Sequence, residues 1–544
     1  MLKKAVSFIM IIIFTALLCS CSKNSGATLL VPISSDPMCL DPQAADTDSA
    51  KLIVSNCYEG LVRLDENYRI IPGVAESWNI SADGKEYVFH LRKDTNWQLL
   101  RSHSDVFEDK NYNENFDTVV KAKDFAFGLQ RAVNPATQAE DSQKLLCIEN
   151  ASEIFAGRAN TETLGVYAED DFTLRIRLSR ANPDFLRLLT LPVCMPCNEE
   201  FFNKTNAKYG METRYTLCNG PFYIARWTDD NIISVLRNEG YKGNCEVEPE
   251  GVSFVVNSDE ASVIKSLKDG SYDCAPLSEN MYKELKDNKK VNIISVESSV
   301  LGLCFNCGDE IIKNVNIRKA LAMITIVDSV NGASDCSSSA TGIVPECVRI
   351  GEMKYRDFAE TVTNIPYNES GALTIWKAGL NELMSESAPI TISCTEEYSA
   401  SMQKIIQTWQ RVFGTTILAK VDIKSEEDLE KAVSSGKYQI AVSSVKAESA
   451  DITDFLGQFV SGSKKNIVNY SDTEYDKIVD GIINIFDGSE IIDKCIAAEK
   501  RLAQETIFFP IFNCSEYMAV GKDVSGIYAS PAFERITFIS GEVD

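Results

Sequence analysis

From residue 389 the chain settles into an alternation that few architectures can accept. PITISC reads as a strand, and SASMQKIIQTWQRVFG as a helix with Met402, Ile405, Ile406, Trp409 and Phe413 on one face. TTILAKVDI is again a strand, SEEDLEKAVSSG a helix and YQIAVSSV a strand. Strand, helix, strand, helix, strand predicts a sheet covered by helices, an α/β domain. Ligands of such sheets bind at the carboxyl ends of strands. The segment KAESADITDFL, directly after YQIAVSSV, occupies such an end.

The front of the chain has a different rhythm. In KEYVFHLRKDTNW, Tyr87, Phe89 and Leu91 alternate with Val88, His90 and Arg92, which is the period of a strand. The preceding ISADGKE carries an Asp-Gly hairpin signal. His90 is therefore expected to pack on a strand. EDKNYNENFD reads as a solvated loop, since it lacks the glycine and closing glutamate of a calcium loop. VKAKDFAFGLQRAVNP turns helical, with Phe125, Gly128, Leu129 and Ala132 at helical spacing and Asn134-Pro135 as its stop. A strand-rich front and an α/β rear are two different cores, so at least two lobes are expected.

The amino terminus, MLKKAVSFIMIIIFTALLCSCSKNSG, has Lys3 and Lys4 ahead of an apolar run from Ala5 to Cys19. That run is shorter than the roughly 20 residues that cross a bilayer, and its layout is that of a secretory signal. Leu18-Cys19-Ser20-Cys21 resembles a bacterial lipobox. The resemblance implies removal of residues 1–20 and acylation of Cys21, which would tether the mature chain without a spanning helix.

A formal charge of −24, which becomes −26 once Lys3 and Lys4 leave with the signal, argues against nucleic acid and against adhesion to anionic lipid. Of 17 cysteines, 15 remain after Cys19 and Cys21 are set aside, an odd number that cannot all pair. Cys194-Met-Pro-Cys197 and Cys304-Phe-Asn-Cys307 have spacings that could hold zinc. However, Cys304 sits in LGLCFNCGDE, which reads as a buried strand, and the chain has only two histidines, His90 and His103. Buried thiols are the expected state, with structural disulfides as the alternative, and neither a metal nor any other cofactor is expected. There is no phosphate loop, no nucleophile elbow and no zinc helix. This favours binding over turnover, although a glycosidase needs only two carboxylates and the chain has 78 acids.

SSDPMCLDP and YEGLVRLDENYRIIPGVAESWNISADGKEYVFHLRKDTNW resemble the amino-terminal signature of bacterial solute-binding proteins of the peptide, oligopeptide and nickel class. KAKDFAFGLQRAVNP, CNGPFYIARWTDDNIISVLRNEGY, LGLCFNCGDEIIKNVNIRKALAMI and FFPIFNC continue the likeness in order. The resemblance implies an α/β fold of the periplasmic-binding-protein type, class II. This is a clamp of two lobes with mixed sheets and an extra strand-rich domain. It implies a signal peptide at 1–20, a first segment of lobe I at 21–60 and a strand-rich accessory domain at 61–175. A second segment of lobe I would follow at 176–265, an α/β lobe II at 266–507 and a return segment at 508–544. Trp78, Phe89, Trp97 and the Gly220-Pro221 turn are read as serving the fold and not the ligand.

In peptide-binding members a carboxylate just after the strand matching YQIAVSSV takes the peptide's free amino group. That position falls on Glu448, with Ser444 and Val445 as neighbouring contacts. The family's Trp-x-x-Asp is here Val445-Lys446-Ala447-Glu448, which leaves the ligand class open. Asp46 and Asp48 fall where the first loop borders the cleft, and Asp141 near another lining position; together they would make a negative pocket. The partners implied are a short peptide or other small solute and an ABC permease with its ATPase subunits. The membrane would be reached through lipid on Cys21, nucleic acid would not be a partner, and the protein would be a monomer. It would be exported and anchored on the outer face of the cell membrane. The same clamp with a sugar, an amino-compound or a chelated metal, or a secreted hydrolase, are the alternatives.

Overall fold

The computed structural model describes residues 26–543, apart from 109–110, 229–230, 327–335, 360–364, 483–484, 486–487 and 532–534. The leader and Cys21 lie outside the described residues. The predicted rear alternation appears as strands Ala388–Cys394, Ile417–Ile423 and Ile440–Lys446, with helices Glu396–Phe413 and Glu426–Ser434 between them. The first strand pairs in parallel with each of the other two, because each crossover carries a helix. Met402, Ile405, Ile406, Trp409 and Phe413 are all buried.

These strands belong to a seven-stranded sheet that also contains Val291–Phe305 and Phe508–Gly521. Side-chain alternation splits the sheet into two cores. Val300, Cys304, Ala441 and Val445 face one core, packed by the helices Ile452–Gly457, Thr473–Ile482 and Gly488–Glu505. Leu301, Leu303, Phe305 and Val442 face the other, packed by Val315–Ala322, Glu369–Glu382 and Glu396–Phe413. The second lobe is thus helix, sheet, helix.

The first lobe has one contiguous core under two four-stranded sheets. In one, Thr28–Ile33 lies parallel to Gly251–Val256, followed by Ile232–Arg237 and Phe222–Thr228. The other is the meander from the strand-rich front, Ala75–Ile80, Glu86–Leu91, Thr173–Arg177 and Val166–Asp170. Tyr87, Phe89 and Leu91 point inward. The hairpin turn places Gly84 at φ 67°, a left-handed conformation that glycine adopts freely. The helix Ala122–Val133 buries Phe125, Leu129 and Ala132. EDKNYNENFD is not all loop: it contains a helical turn at Tyr112–Asn115.

Two strands bind the lobes together. Ile294, Met518 and Val520 sit in or against the first-lobe core, while Leu301, Phe305, Phe509 and Ile511 belong to the second. Both strands therefore run out of one lobe into the other. Their antiparallel register slips between Glu297 and Ser299 and again between Leu301 and Gly302. Such bulges bend and twist a ribbon locally, and here they fall where it changes lobes. Ser298, unpaired in that ladder, donates its hydroxyl to Glu516 at 2.8 Å, and Lys446 pairs with the same carboxylate at 2.6 Å.

Among the described residues, and leaving Cys347 aside, twelve cysteines are free, nine of them buried, and both C-x-x-C pairs are among the twelve. Burial pushes the thiols of Cys197 and Cys304 up to about 12. Cys514 is disulfide-bonded, and Cys336 lies opposite it in the ladder. Among the described residues no cluster of His, Cys, Asp and Glu could hold a metal ion. Nor is any helix among them long and apolar enough to cross a membrane.

Candidate functional site in the cleft between the lobes

A cavity of about 620 Å³ opens where the lobes meet, within the roughly 300–1,000 Å³ typical of small-molecule sites. Tyr58, Glu59, Arg63, Tyr68 and Tyr241 line it from the first lobe, and Tyr528 and Arg535 from the final segment. Glu297, Glu346, Arg349 and Lys354 line it from the second.

Glu59 follows the helix Asp48–Cys57 and is fixed at both ends of its peptide unit by Asn219. The amide oxygen of Asn219 accepts from the Glu59 N–H at 3.1 Å, and its NH₂ donates to the Glu59 carbonyl at 2.9 Å. Gly220 is required there, since a Cβ would lie 2.6 Å from the Cys57 carbonyl. The Glu59 carboxylate is buried and accepts from the Tyr241 hydroxyl at 2.6 Å and from Arg92 at 3.1 Å. Arg63, 3.9 Å away, also donates to the Tyr241 hydroxyl at 3.1 Å and to the Cys245 thiol at 2.9 Å. Burial pushes the Glu59 carboxyl up, while Arg63, Tyr241 and Arg92 pull it down. This wall is polar, braced and internally neutralised.

The opposite wall is less satisfied. Arg349 donates one Nη to the Glu352 carbonyl at 2.7 Å. Its Nε is buried and has no partner among the described residues. Its guanidinium lies 5.8 Å from the Tyr68 ring, whose own-lobe neighbour Arg187 lies 4.3 Å away. Arg187 also donates to the Tyr68 carbonyl at 3.3 Å and, across the lobe boundary, to the Gly351 carbonyl at 3.0 Å. The cavity thus carries acids and cations on walls that belong to different lobes.

None of the six ligand residues expected from the sequence lines this cavity. Glu448 is more than half exposed and pairs with Lys465. Ser444 is exposed, and the Val445 side chain is buried in the second-lobe core. Asp46 and Asp48 are exposed, the latter in the first turn of a helix capped by Thr47. Asp141 lies 3.2 Å from Lys144 and 3.9 Å from Lys51. Lys144 in turn reaches Asp454 of the second lobe at 3.9 Å. Asp141 is therefore brought to the lobe boundary opposite the segment that holds Glu448, while Asp46 and Asp48 stay in solvent.

The two histidines are structural. His90 sits on its strand beside Asn79, 3.2 Å away. His103 is fully buried; its Nδ1 accepts from the Leu100 N–H, so the proton resides on Nε2, which donates to the Thr216 carbonyl. Trp97 is buried and donates to Asp124 at 3.3 Å, a carboxylate that also caps its helix by accepting from the Lys121 N–H. Asp41 and Arg131 form a buried two-pronged pair that anchors the segment leading to Asp46. The cavity residues that sequence reasoning missed, Glu59, Arg63 and Tyr68, lie inside the stretch most useful for recognising the fold.

A clamp of two lobes, joined by crossing strands around a polar cleft, defines a solute-binding protein. Residues 69–466 match the family described as "Bacterial extracellular solute-binding proteins, family 5 Middle", and the chain belongs to that family of binding proteins. The dipeptide-binding protein DppE of Bacillus subtilis is 26% identical over 519 residues, spanning 94% of this chain and 91% of its own. YgiS of Escherichia coli, a probable deoxycholate-binding periplasmic protein, is 24% identical over 490 residues, 88% of this chain and 86% of its own. Among solved structures, Listeria monocytogenes OppA bound to peptide matches with a TM-score of 0.67 at 25% identity, covering 96% of this chain and 99% of that one.

Proposed function

We propose that this protein is a lipid-anchored receptor outside the cytoplasm that captures short peptides between its lobes. It would deliver them to an ABC permease driven by ATPase subunits. The observation that carries the reading is the cavity with acids on both walls and a cation, Arg349, whose buried Nε lacks a partner among the described residues. Zwitterionic ligands present an ammonium and a carboxylate at opposite ends, and such a cavity can answer both. The peptide-binding names of relatives such as DppE support the same reading.

In this reading Cys21 carries the lipid, the protein acts as a monomer, residues 61–175 form an accessory domain inserted between segments of lobe I, and lobe II spans residues 266–507. Glu448 takes the peptide's amino group by exchanging Lys465 for the incoming ammonium, with Ser444, Val445, Asp46, Asp48 and Asp141 bordering the path. The position of Val445 where peptide binders carry tryptophan, and the kinship to YgiS, favour as second reading a non-peptide cargo in the same clamp. Mass spectrometry of small molecules co-purifying with the protein, followed by titration with synthetic tripeptides, separates the two. Saturable binding of free-amino tripeptides supports the first; co-purification of a neutral or steroid-like molecule with no peptide binding supports the second.

A further inference from the structure

Arg187 belongs to the first lobe, yet it is hydrogen-bonded to the second. It sits in the last turn of the short helix Phe185–Leu188, whose Phe185 is buried in the first-lobe core. One Nη donates to the Tyr68 carbonyl at 3.3 Å and the other to the Gly351 carbonyl at 3.0 Å. Its guanidinium lies 4.3 Å from the Tyr68 ring, and that of Arg349, from the second lobe, lies 5.8 Å from the same ring. Two cations thus share one aromatic ring. Neither forms a salt bridge among the described residues, and their hydrogen bonds go to backbone carbonyls. Tyr68 and Arg349 line the cavity, whereas Arg187 does not.

Both partners of Arg187 are held firmly by their own lobes. Tyr68 is buried and has φ 65°, a left-handed backbone that is uncommon for a bulky residue. It lies in the turn between the strands Val62–Leu64 and Ile70–Pro72 and donates its N–H to the Asp65 carbonyl at 3.0 Å. The Asp65 carboxylate fixes that turn by accepting from the N–H groups of Asn67 and Arg69 at 2.9 and 2.8 Å. In the second lobe, Arg349–Ile350 and Met353–Lys354 pair as a hairpin whose loop begins with Gly351 at φ 59°, the place of glycine in a tight hairpin turn. Arg349 donates its own N–H to the Ala450 carbonyl at 2.7 Å. Just beyond the hairpin, buried Arg356 pairs with buried Glu499 at 2.6 Å and donates to the Val344 carbonyl at 2.9 Å. The hairpin is a stiff finger rooted in the second lobe, and Arg187 grips its tip from the first.

We infer that Arg187 is a positioning residue that ties this finger to the first lobe and so sets Arg349 at the carboxylate end of the cleft. The planar fork of a guanidinium presents its nitrogens in fixed geometry, which lets one side chain bridge the Tyr68 and Gly351 carbonyls; an ammonium has no such fork. With the tie made, the Arg349 guanidinium is held beside Tyr68 and close to a second unpaired cation. An incoming carboxylate relieves the repulsion between the two and supplies a charged acceptor. Because the contact crosses the lobe boundary, it also holds the lobes together when no solute is present. The role toward the ligand's carboxylate rests on the peptide reading; the tie between lobes does not.

Calorimetric titration of the mature protein with a free-carboxylate tripeptide and its carboxyl-amidated twin tests the first part. The native protein should bind the free form roughly tenfold to a hundredfold more tightly, the range for a hydrogen bond to a charged group. Arg187→Ala should remove most of that preference, whatever loss the two peptides share. Arg187→Lys should do the same, since it keeps the charge without the fork. Adding Arg187→Ala to Arg349→Ala should change the preference no further. A merely structural role for Arg187 would weaken both peptides equally and leave the preference intact. Small-angle scattering tests the tie without any ligand: Arg187→Ala should have a larger radius of gyration than the native protein, with unchanged circular dichroism. No preference in the native protein, a preference retained in both Arg187 variants, or equal radii would each overturn the assignment. A native protein that binds neither peptide would sink the cargo reading instead, and the scattering result would then decide the tie by itself.

Discussion

Tyr241 donates its hydroxyl to Glu59 at 2.6 Å while accepting from Arg63 at 3.1 Å. The phenol thus stands between a buried acid and its cation, on the wall of the interlobe cavity. Removing the hydroxyl in Tyr241→Phe leaves Glu59 with one fewer donor at a site where desolvation already disfavours its charge. A loss of about 1–3 kcal/mol is expected for an unsatisfied buried partner, read as a lower urea midpoint with an unchanged slope. An unchanged midpoint would mean that water replaces the hydroxyl.

His103 predicts an acid-sensitive step in stability. Burial holds its imidazole neutral, down to about 4 from the ordinary value of 6.5. The neutral form is favoured by folding, so this contribution is complete above pH 6.5 and is lost as pH falls toward 4. The shift corresponds to ~3 kcal/mol of stability. Urea midpoints across that interval should fall steeply in the native protein. His103→Gln, already weaker at neutral pH, should lose that part of the slope.

Glu448 tests the proposed amino-group recognition. In the ligand-free clamp it is exposed and paired with Lys465, a state in which an ion pair contributes under about 1 kcal/mol. If a bound ammonium displaces Lys465 and is buried beside it, removing the charge costs on the order of 3–5 kcal/mol. Glu448→Gln should then weaken free-amino tripeptides by roughly two orders of magnitude or more and leave amino-acetylated tripeptides almost unaffected. Calorimetric titration showing equal, small effects on both would remove Glu448 from the site.

Cys21→Ala is expected to leave the fold intact and release the protein from membranes or leave it unprocessed. Fractionation of cells expressing the variant, with washing free of detergent, checks this. Retention on the membrane would require another anchor.

The rear alternation was legible because periods of two and 3.6 are local, and Trp409 and Phe413 declare a buried helix face from sequence alone. EDKNYNENFD reads as loop from sequence because a four-residue helical turn, Tyr112–Asn115, is too short to show a period. The cavity was harder for a different reason. Glu59 and Tyr241 are 182 residues apart, and no spacing rule connects residues that meet only through the packing of the whole first lobe. KAESADITDFL reads as a strand end facing a ligand, with Glu448 as its candidate residue, yet Glu448 stands in solvent paired with Lys465.

The crossing strands also govern when the first lobe can exist. Its core includes Leu29 and Phe89 from the front of the chain, but also Met518, Val520, Ile536 and Phe538 from the far end. Asn56 exchanges hydrogen bonds with Ile536 and Phe538, some 480 residues away. At roughly 5–20 residues per second of synthesis, about half a minute or more separates the first of these residues from the last. During that interval the early segments have no finished core to collapse into, and they remain threadable. A polypeptide that must pass an export channel before it folds is helped by an architecture whose closing piece arrives last.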